Sequence, residues 1–199
     1  MAGFHRARGR ISVHLDEHEQ RVLAQVVQEF VELLEAEEHR HAAPPQPEEQ
    51  HDDDPFAVWE ASFGVEKEEP DPGHGTDPVQ RRLFPDAYRD DPEAAADFRR
   101  YTQPEQRRQK VLDAIVVLDD LDQVRAGASR IAPDRVDGWL RTLNNLRLVI
   151  SVMLGITDET SHAEAASRSP EDPRSMTYGL YGWLGWMLES LVECVMSPE

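Results

Sequence analysis

His14, Glu17 and His18 have the spacing H-x-x-E-H, which inverted zinc peptidases use to hold a catalytic metal. That chemistry requires one helix face to present both imidazoles to the zinc ion. Here the hydrophobic pattern places His14 at the end of a strand and His18 in the first turn of a helix, and no third ligand stands out downstream. We therefore interpret the spacing as chance, and predict no metal, no cofactor and no catalytic residue.

Cys194 is the only cysteine, which excludes an intramolecular disulfide and any zinc site with several thiolates. It follows Leu180 and Met187 at intervals of seven, on the face of the last helix that is predicted to be buried. Glu193 and the C-terminal end of the helix both disfavour a thiolate. A small core thiol is the preferred interpretation, and Cys194 as a redox site is the alternative.

Polar residues inside apolar helices form a second candidate site. Asn144, Asn145 and Arg147 lie on the central helix and Glu189 lies on the last one. A buried pair between Arg147 and Glu189 would satisfy groups that are otherwise costly to bury, so the interpretation is a structural polar network, with a ligand pocket as the alternative.

Gly179, Gly182 and Gly185 lie three apart in the last helix, where each costs about 1 kcal/mol of helix propensity. Close approach of a neighbouring helix is the favoured explanation, and a self-association face, as in a homodimer, is the alternative.

Basic residues fall into two groups in a chain whose formal net charge is −18. They are Arg6, Arg8 and Arg10 at the N-terminus, and Arg99, Arg100, Arg107, Arg108 and Lys110 further along. Solvated charge that balances the acidic loops is the simpler interpretation, and a contact patch is the sharper one. The net charge argues against broad DNA binding and favours basic partners, although direct DNA contact through a local patch stays open.

Residues 4 to 15 alternate around Gly9, which predicts a short strand or hairpin. Asp16 and Glu19 have the spacing of a capping box, and the apolar positions that follow predict a first helix. From residue 38 to residue 76 the composition turns to Pro, Glu, Asp and His, which predicts a mobile acidic linker. One apolar island in it, with Phe56, Trp59 and Phe63, could dock on the core.

Further helices are predicted from their start and stop signals. Two short helices start at Asp77 and Asp91, each followed by proline, and Thr102 with Glu105 opens a longer helix. The apolar residues of that helix that are expected to face inward are Val111, Leu112, Ile115, Val116, Leu118 and Leu121. A central helix runs from Pro133 to Gly155, residues 156 to 173 form a polar loop, and a last helix runs from Tyr178 to Val195.

Together these elements predict a mainly α-helical bundle with a short N-terminal strand or hairpin and long acidic loops. We expect one domain, 1–199, made of the strand and first helix (1–37), the linker (38–76) and a helical core (77–199). Neither a secretory signal nor a membrane span is expected, because no apolar run is long enough.

Three segments carry a resemblance to a known family: DPVQRRLFPDAYRDDPEAAADFRRYTQPEQRRQKVLDAI, DGWLRTLNNLRLVISVMLGIT and YGWLGWMLESLVECVM. The most specific pieces are LFPDAY, DFRR, WLRTLNNLRL and ESLVE. The chain resembles the actinomycete domain-of-unknown-function family numbered two thousand and seventeen, over most of residues 77 to 196 and more weakly over residues 4 to 34.

The resemblance implies a helical, cytoplasmic, non-enzymatic protein of the AosR type, an oxidative-stress transcriptional regulator. It further implies a thiol switch and cooperation with an alternative sigma factor, and members tend to be encoded beside the protease adaptor ClpS and cysteine-synthesis genes. This chain departs from that pattern, since a single Cys194 cannot close an internal disulfide. The leading hypothesis is a regulator in oxidative-stress or cysteine-metabolism control that contacts a sigma factor or RNA polymerase. The alternative is an adaptor linked to Clp-dependent proteolysis, and the second alternative is a protein with a structural or interaction role.

Overall fold

The computed structural model of the chain describes residues 3–42, 77–88, 90–125 and 130–197. The apolar island predicted inside the acidic linker lies outside these residues. The described residues form a mainly α-helical protein with a small three-stranded sheet, as the sequence predicts. Among the described helices, none combines the length and the hydropathy that a membrane span requires.

The sheet is antiparallel, in the order β1 (Gly3–Ala7), β2 (Arg10–His14) and β3 (Arg130–Ile131). The predicted hairpin is confirmed, with Phe4 opposite Val13. The third strand was not predicted, because two residues are too few to give an alternating pattern.

Helix α1 (Glu17–Ala42) begins at the predicted capping box. The Asp16 carboxylate accepts hydrogen bonds from the amides of His18 and Glu19, and the Glu19 carboxylate accepts one from the Asp16 amide at 2.8 Å. The helix continues through residue 42, so it includes the first residues of the segment predicted as linker.

Helix α2 (Pro78–Leu83) has Asp77 as its N-cap, as predicted. The next two predicted helices are one helix, α3 (Pro92–Arg125), which passes through Pro104 without a break. The predicted start at Thr102 is wrong because the Thr102 hydroxyl donates to the Phe98 carbonyl at 2.8 Å, one turn back, instead of capping a new helix.

The buried stripe of α3 also differs from the prediction. Leu112 and Ile115, which were expected to face inward, are 43% and 41% exposed. Leu121 is buried, as predicted, while Ala114 and Val117 are buried in place of Leu112 and Ile115. Aspartates on the same stripe as these three residues are buried as well, and their partners, described below, explain why the apolar pattern alone gave the wrong face.

Helix α4 (Val136–Met153) follows a 3-10 turn, Pro133–Arg135. It ends as predicted at Gly155, whose φ is +69°. The Gly155 and Ile156 amides donate to the Val152 and Ser151 carbonyls at 3.0 and 2.8 Å, a Schellman-type end that requires a left-handed residue.

Helix α5 (Glu159–Ala166) lies within the segment predicted to be a loop, so that prediction is wrong there. Asp158 and Ser161 form a capping box with aspartate at the N-cap, and the Ser161 amide and hydroxyl lower the pKa of the Asp158 carboxyl. The last helix, α6 (Arg174–Met196), starts one turn before the predicted residue Tyr178.

The chain divides into two compact units. The first comprises Met1–Val31, Arg107–Arg147 and Tyr181–Glu199, and therefore contains the sheet together with parts of α1, α3, α4 and α6. Its most deeply buried side chains include Trp139, Leu121, Leu143, Leu184 and Met187. The second unit comprises Glu32–Gln106 and Leu148–Leu180. Its buried residues include Leu34, Leu83, Phe84, Ile150 and Leu154.

Candidate contact site on the N-terminal sheet

The inner face of the sheet is fixed to the helices of the first unit. Phe4 and Val13 are opposite each other in the register and both are buried. The Phe4 ring meets the Trp139 ring edge-on, with 5.2 Å between centroids, and the Phe4 amide donates to the Ser190 hydroxyl at 3.1 Å. These contacts tie β1 to α4 and α6.

Arg6 extends from the same inner face to the C-terminal end of α6. One nitrogen of its guanidinium donates to the Cys194 carbonyl at 2.9 Å and to the Ser197 carbonyl at 3.1 Å. Carbonyls at a helix end lack partners within the helix and carry partial negative charge, so a cation stabilises them. Arg6, which was predicted for a contact patch, therefore has a helix-capping role.

The thiol of Cys194 lies on the buried side of α6, and the residue is 6% exposed. Burial raises the pKa of the thiol above its ordinary value, and Glu193 raises it further, while Arg6 acts in the opposite direction. Both the burial and the raised pKa reduce the population of the reactive thiolate. The redox role of Cys194 stays a prediction, and these two observations argue against it.

The opposite face of the sheet is exposed and basic. The register places Gly3 and Ala7 on it together with five polar or charged residues, which we call the outer sheet face: His5, Arg10, Ser12, His14 and Arg130. The two histidine rings are in contact, with 5.2 Å between centroids. The side chains of Arg10 and Arg130 are exposed and make no ion pair or hydrogen bond with residues that the structure describes.

The turn between β1 and β2 adds a further arginine beside this face. Arg8 and Gly9 have φ values of +52° and +70°, the conformation of a two-residue type I′ turn. Asparagine and glycine are the usual residues there, since a left-handed conformation costs other residues about 1–2 kcal/mol. Arg8 is exposed, so the turn presents a third exposed guanidinium at a position where arginine is conformationally unfavourable.

Sequence reasoning identified Arg8 and Arg10 but missed Arg130. The arginine is separated from the hairpin by more than a hundred residues, and the strand that carries it has two residues. The only signal was an isolated Arg-Ile pair shortly before Pro133.

The other predicted basic residues do not extend the outer sheet face. Within the first unit, Arg107 is buried and Lys110 donates to the Asn145 side-chain oxygen at 3.0 Å, while Arg108 is exposed on α3. Desolvation lowers the pKa of Lys110, with Asp113 acting in the opposite direction. Arg99 and Arg100 belong to the second unit, where Arg99 pairs with Asp86 and Arg100 stacks on Tyr101.

Of the polar network predicted on α4 and α6, only Asn145 is buried in a network, with Lys110. Asn144 and Glu189 are exposed. The predicted pair between Arg147 and Glu189 is not formed. Arg147 instead lies over the Tyr181 ring, 4.9 Å from its centroid, because an aromatic face accommodates a half-buried guanidinium without a carboxylate.

A different polar network, missed by the sequence reasoning, lies in the core of the first unit. The buried Asp120 carboxylate accepts from the Trp139 indole nitrogen at 2.8 Å and contacts the Arg135 guanidinium at 2.9 Å. Arg135 also donates to the Val116 carbonyl at 2.9 Å. The network joins the ends of two helices, so it reads as structural.

The three helix glycines have different surroundings. A Cβ at Gly185 would lie 3.3 Å from the Arg147 guanidinium, so this glycine does allow close approach, as predicted. Gly179 and Gly182 are exposed, with no described atom within 4 Å of their Cβ positions, so the packing explanation is wrong for these two.

The H-x-x-E-H residues do not share a helix. His14 ends β2, whereas Glu17 and His18 lie in the first turn of α1, as predicted. In the described residues there is no group of three or more His, Cys, Asp or Glu side chains that could hold a metal ion.

Comparisons with known proteins give two kinds of match. The family described as "Domain of unknown function (DUF2017)" matches residues 1–195. Proteins from Mycobacterium bovis and Mycobacterium tuberculosis, each named "Oxidative stress regulator AosR", are 30% identical to the chain over 141 residues. The alignment covers 62% of this chain and 60% of each relative, so the chain spans about 60% of the length of the curated relatives it matches. No solved structure matches the chain.

Proposed function

The chain belongs to the family described as domain of unknown function DUF2017, and from this membership we propose that it is a non-enzymatic, cytoplasmic regulatory protein acting through protein contacts. The process is transcription, and the partner is a sigma factor or RNA polymerase. The observation that carries this proposal is the similarity to proteins named oxidative stress regulator AosR. That name belongs to the relatives, and its transfer to this chain is part of the proposal.

We assign the contact to the outer sheet face together with Arg8. The first fifteen residues contain three arginines and no Asp or Glu, in a chain with 39 acidic residues. Arg8, Arg10 and Arg130 project three exposed guanidiniums from one small sheet. Exposed charge of one sign on a surface of the other sign fixes where and in which register a complementary segment docks. The complementary segment is an acidic stretch of the partner protein.

A protein segment fits this surface better than DNA does. A DNA-binding protein neutralises several phosphates along the duplex. Because this binding releases counterions from the DNA, its affinity falls by orders of magnitude as the salt concentration rises. Buried Arg107 and hydrogen-bonded Lys110 do not enlarge the basic surface of the first unit. The net charge of −18 repels a long polyanion such as DNA more strongly at long range than it repels a short acidic segment, which carries less charge.

The signal does not depend on Cys194 in this proposal. Its thiol is buried and its pKa is raised, so oxidation by peroxide is slow. The homodimer that the sequence suggested stays a prediction, and the partner contact proposed here does not need it.

The test is affinity capture of the tagged full-length chain from its own cells. Wild type is compared with Arg10→Gln and with Arg8→Asn, which removes the charge while placing a favoured residue in the turn. We expect sigma factor or RNA polymerase subunits with wild type and several-fold lower recovery with either variant. The matched control is Arg21→Gln, because Arg21 is an exposed arginine of the same unit whose guanidinium, among the residues that the structure describes, bonds only its own helix, at the Glu17 carbonyl.

Three outcomes contradict the proposal. Recovery of Clp components in place of transcription proteins would favour the adaptor instead. Nuclease-sensitive recovery would indicate contact through DNA. Equal losses in Arg21→Gln and Arg10→Gln would show that net charge matters and the sheet does not. Capture repeated with peroxide, in wild type and Cys194→Ala, is expected to give the same result, and a change confined to wild type would restore the thiol switch.

A further inference from the structure

A pocket of about 530 Å³ opens beside the turn end of the sheet, in the first unit. Its apolar lining comes from β2, β3 and two helix ends, through Ile11, Ile131, Val136 and Val195. Ligand pockets for small molecules in proteins have volumes of roughly 300–1,000 Å³ and are mostly apolar with a few polar groups. The pocket has both properties.

The polar groups around this pocket are mainly cationic. Arg10 and Arg130 also line it, although the register turns their side chains toward the outer sheet face, and their guanidiniums make no ion pair with the described residues. Arg6 also lines it, but its guanidinium bonds the carbonyls at the end of α6. The acidic residue in the lining is Asp137, which is 74% exposed and pairs with Arg141 at 3.5 Å. Two exposed cations next to the apolar lining therefore remain available for the charged end of a ligand.

We propose that this pocket binds a small organic carboxylate that carries an apolar tail of medium length. The arginines would hold the carboxylate, since the planar guanidinium matches its two oxygens. The tail would cover Ile11, Val136 and the half-exposed Val195, and burying apolar area is favourable in proportion to that area.

Neither half of the ligand explains the pocket alone. A bare anion such as acetate or phosphate leaves the apolar lining in water, and a neutral lipid that covers the two exposed arginines would desolvate them without supplying a counter-charge, which is costly. A carboxylate has a further advantage over a dianion, because the net charge of −18 repels it less at long range.

The inference goes beyond the proposed function, and its test uses the purified full-length chain without any partner. Octanoate is titrated into the protein by isothermal calorimetry, with octanol as the probe that keeps the tail and acetate as the probe that keeps the charge. We expect saturable binding of octanoate at one site and binding at least about tenfold weaker for each of the other two probes.

Two variants locate the site. Arg130→Gln is expected to weaken octanoate binding about tenfold, because a charge-assisted hydrogen bond is lost. Val195→Ser removes apolar lining at a position that is 45% exposed, so the fold tolerates it, and binding should weaken about threefold. Arg10→Gln repeats the charge test at a second position. Arg21→Gln is the charge-matched control away from the pocket, and it should bind as wild type does.

The proposal is overturned if octanol binds as tightly as octanoate, which would make the arginines irrelevant, or if acetate does, which would make the apolar lining irrelevant. It is also overturned if Arg21→Gln weakens binding as much as Arg10→Gln and Arg130→Gln. Because calorimetry uses the isolated protein, failure here leaves the capture experiment unaffected, and failure of the capture experiment leaves this one unaffected.

Discussion

At the scale of single residues, Cys194 shows how position can suppress chemistry that a residue type permits. A thiol needs access and a lowered pKa to react at neutral pH. Cys194 has neither, because α6 buries its sulfur and both burial and Glu193 raise its pKa. The carbonyl of the same residue is the acceptor for Arg6. In the described structure the contribution of Cys194 is thus to packing and to the capped end of α6.

The first prediction concerns the reactivity of this thiol. Iodoacetamide at pH 8 should alkylate native Cys194 at least about tenfold more slowly than the same protein in urea, since the native thiol is buried and less ionised. Mass spectrometry of timed samples measures the rate. Equal rates in the native and unfolded protein would contradict the argument and reopen a redox role.

The raised pKa also predicts how stability depends on pH. Ionisation of the unfolded thiol begins near its ordinary pKa of 9.0, whereas the folded thiol keeps its proton to higher pH. The folded state then binds more protons, so this stabilising contribution is present below pH 9 and is lost as pH rises through the folded pKa. Urea unfolding of wild type and Cys194→Ala from pH 7 to pH 10 isolates the contribution as the difference between the two chains, because other titrating groups are common to both.

At the scale of elements, Asp120 links α3 and α4 through one buried carboxylate. The carboxylate receives the Trp139 indole N–H and faces the Arg135 guanidinium, and it is 4% exposed. Removing one partner of a buried pair leaves the others without compensation, which costs about 3–5 kcal/mol. We therefore predict that Asp120→Ala lowers the free energy of unfolding by that amount, measured by urea denaturation followed by circular dichroism.

The neighbouring aspartate provides a control for this prediction. Asp119 contacts the same Arg135 at 3.6 Å, but its side chain is 60% exposed. Exposed ion pairs contribute about 0–1 kcal/mol, so Asp119→Ala should be nearly neutral. Similar losses in the two variants would show that the Asp120 network contributes no more than a surface pair.

Helix ends were predictable wherever the signal is local. The Asp16–Glu19 capping box, the Asp77 N-cap and the Gly155 stop are each formed by residues within a few positions of the end they mark. Thr102 gave a false start for a physical reason. A capping box starts a new helix only if the residues before it are not helical. Here α3 is continuous through Thr102, and the Thr102 hydroxyl donates to the Phe98 carbonyl one turn earlier.

Side-chain partners that lie far apart in the sequence could not be predicted from local sequence patterns. Trp139 and Asp120 are 19 residues apart on different helices, and nothing in either local pattern couples them. The same limit explains Leu112 and Ile115. The inward face of their apolar run contains the buried Asp113 and Asp120, whose partners, Arg141 for Asp113 and Trp139 for Asp120, lie far along the chain. The candidate contact site was half predicted, because Arg8 and Arg10 are local to the hairpin and Arg130 is brought there by the fold.

At the scale of the whole molecule, the chain has a net charge of −18, although its first fifteen residues carry only positive side-chain charge. A large net charge favours solubility but opposes the compact state by self-repulsion. We predict that sodium chloride raises the midpoint of thermal unfolding at pH 7.5 by a few degrees. The rise should occur mostly below about 0.2 M, because the Debye length at 0.15 M is already about 8 Å.

The shape of this salt dependence distinguishes screening from other effects of salt. Exclusion of salt from the protein surface also stabilises proteins, but it grows steadily with concentration and is stronger for sulfate. Screening instead saturates, and at equal ionic strength it is similar for chloride and sulfate. Differential scanning fluorimetry in both salts separates the two. A midpoint that does not change below 0.2 M would mean that the charges are spaced widely enough for repulsion to contribute little to stability. The attraction of a partner to the outer sheet face would then depend on the local positive charge of that face, and the net charge would have little effect on it.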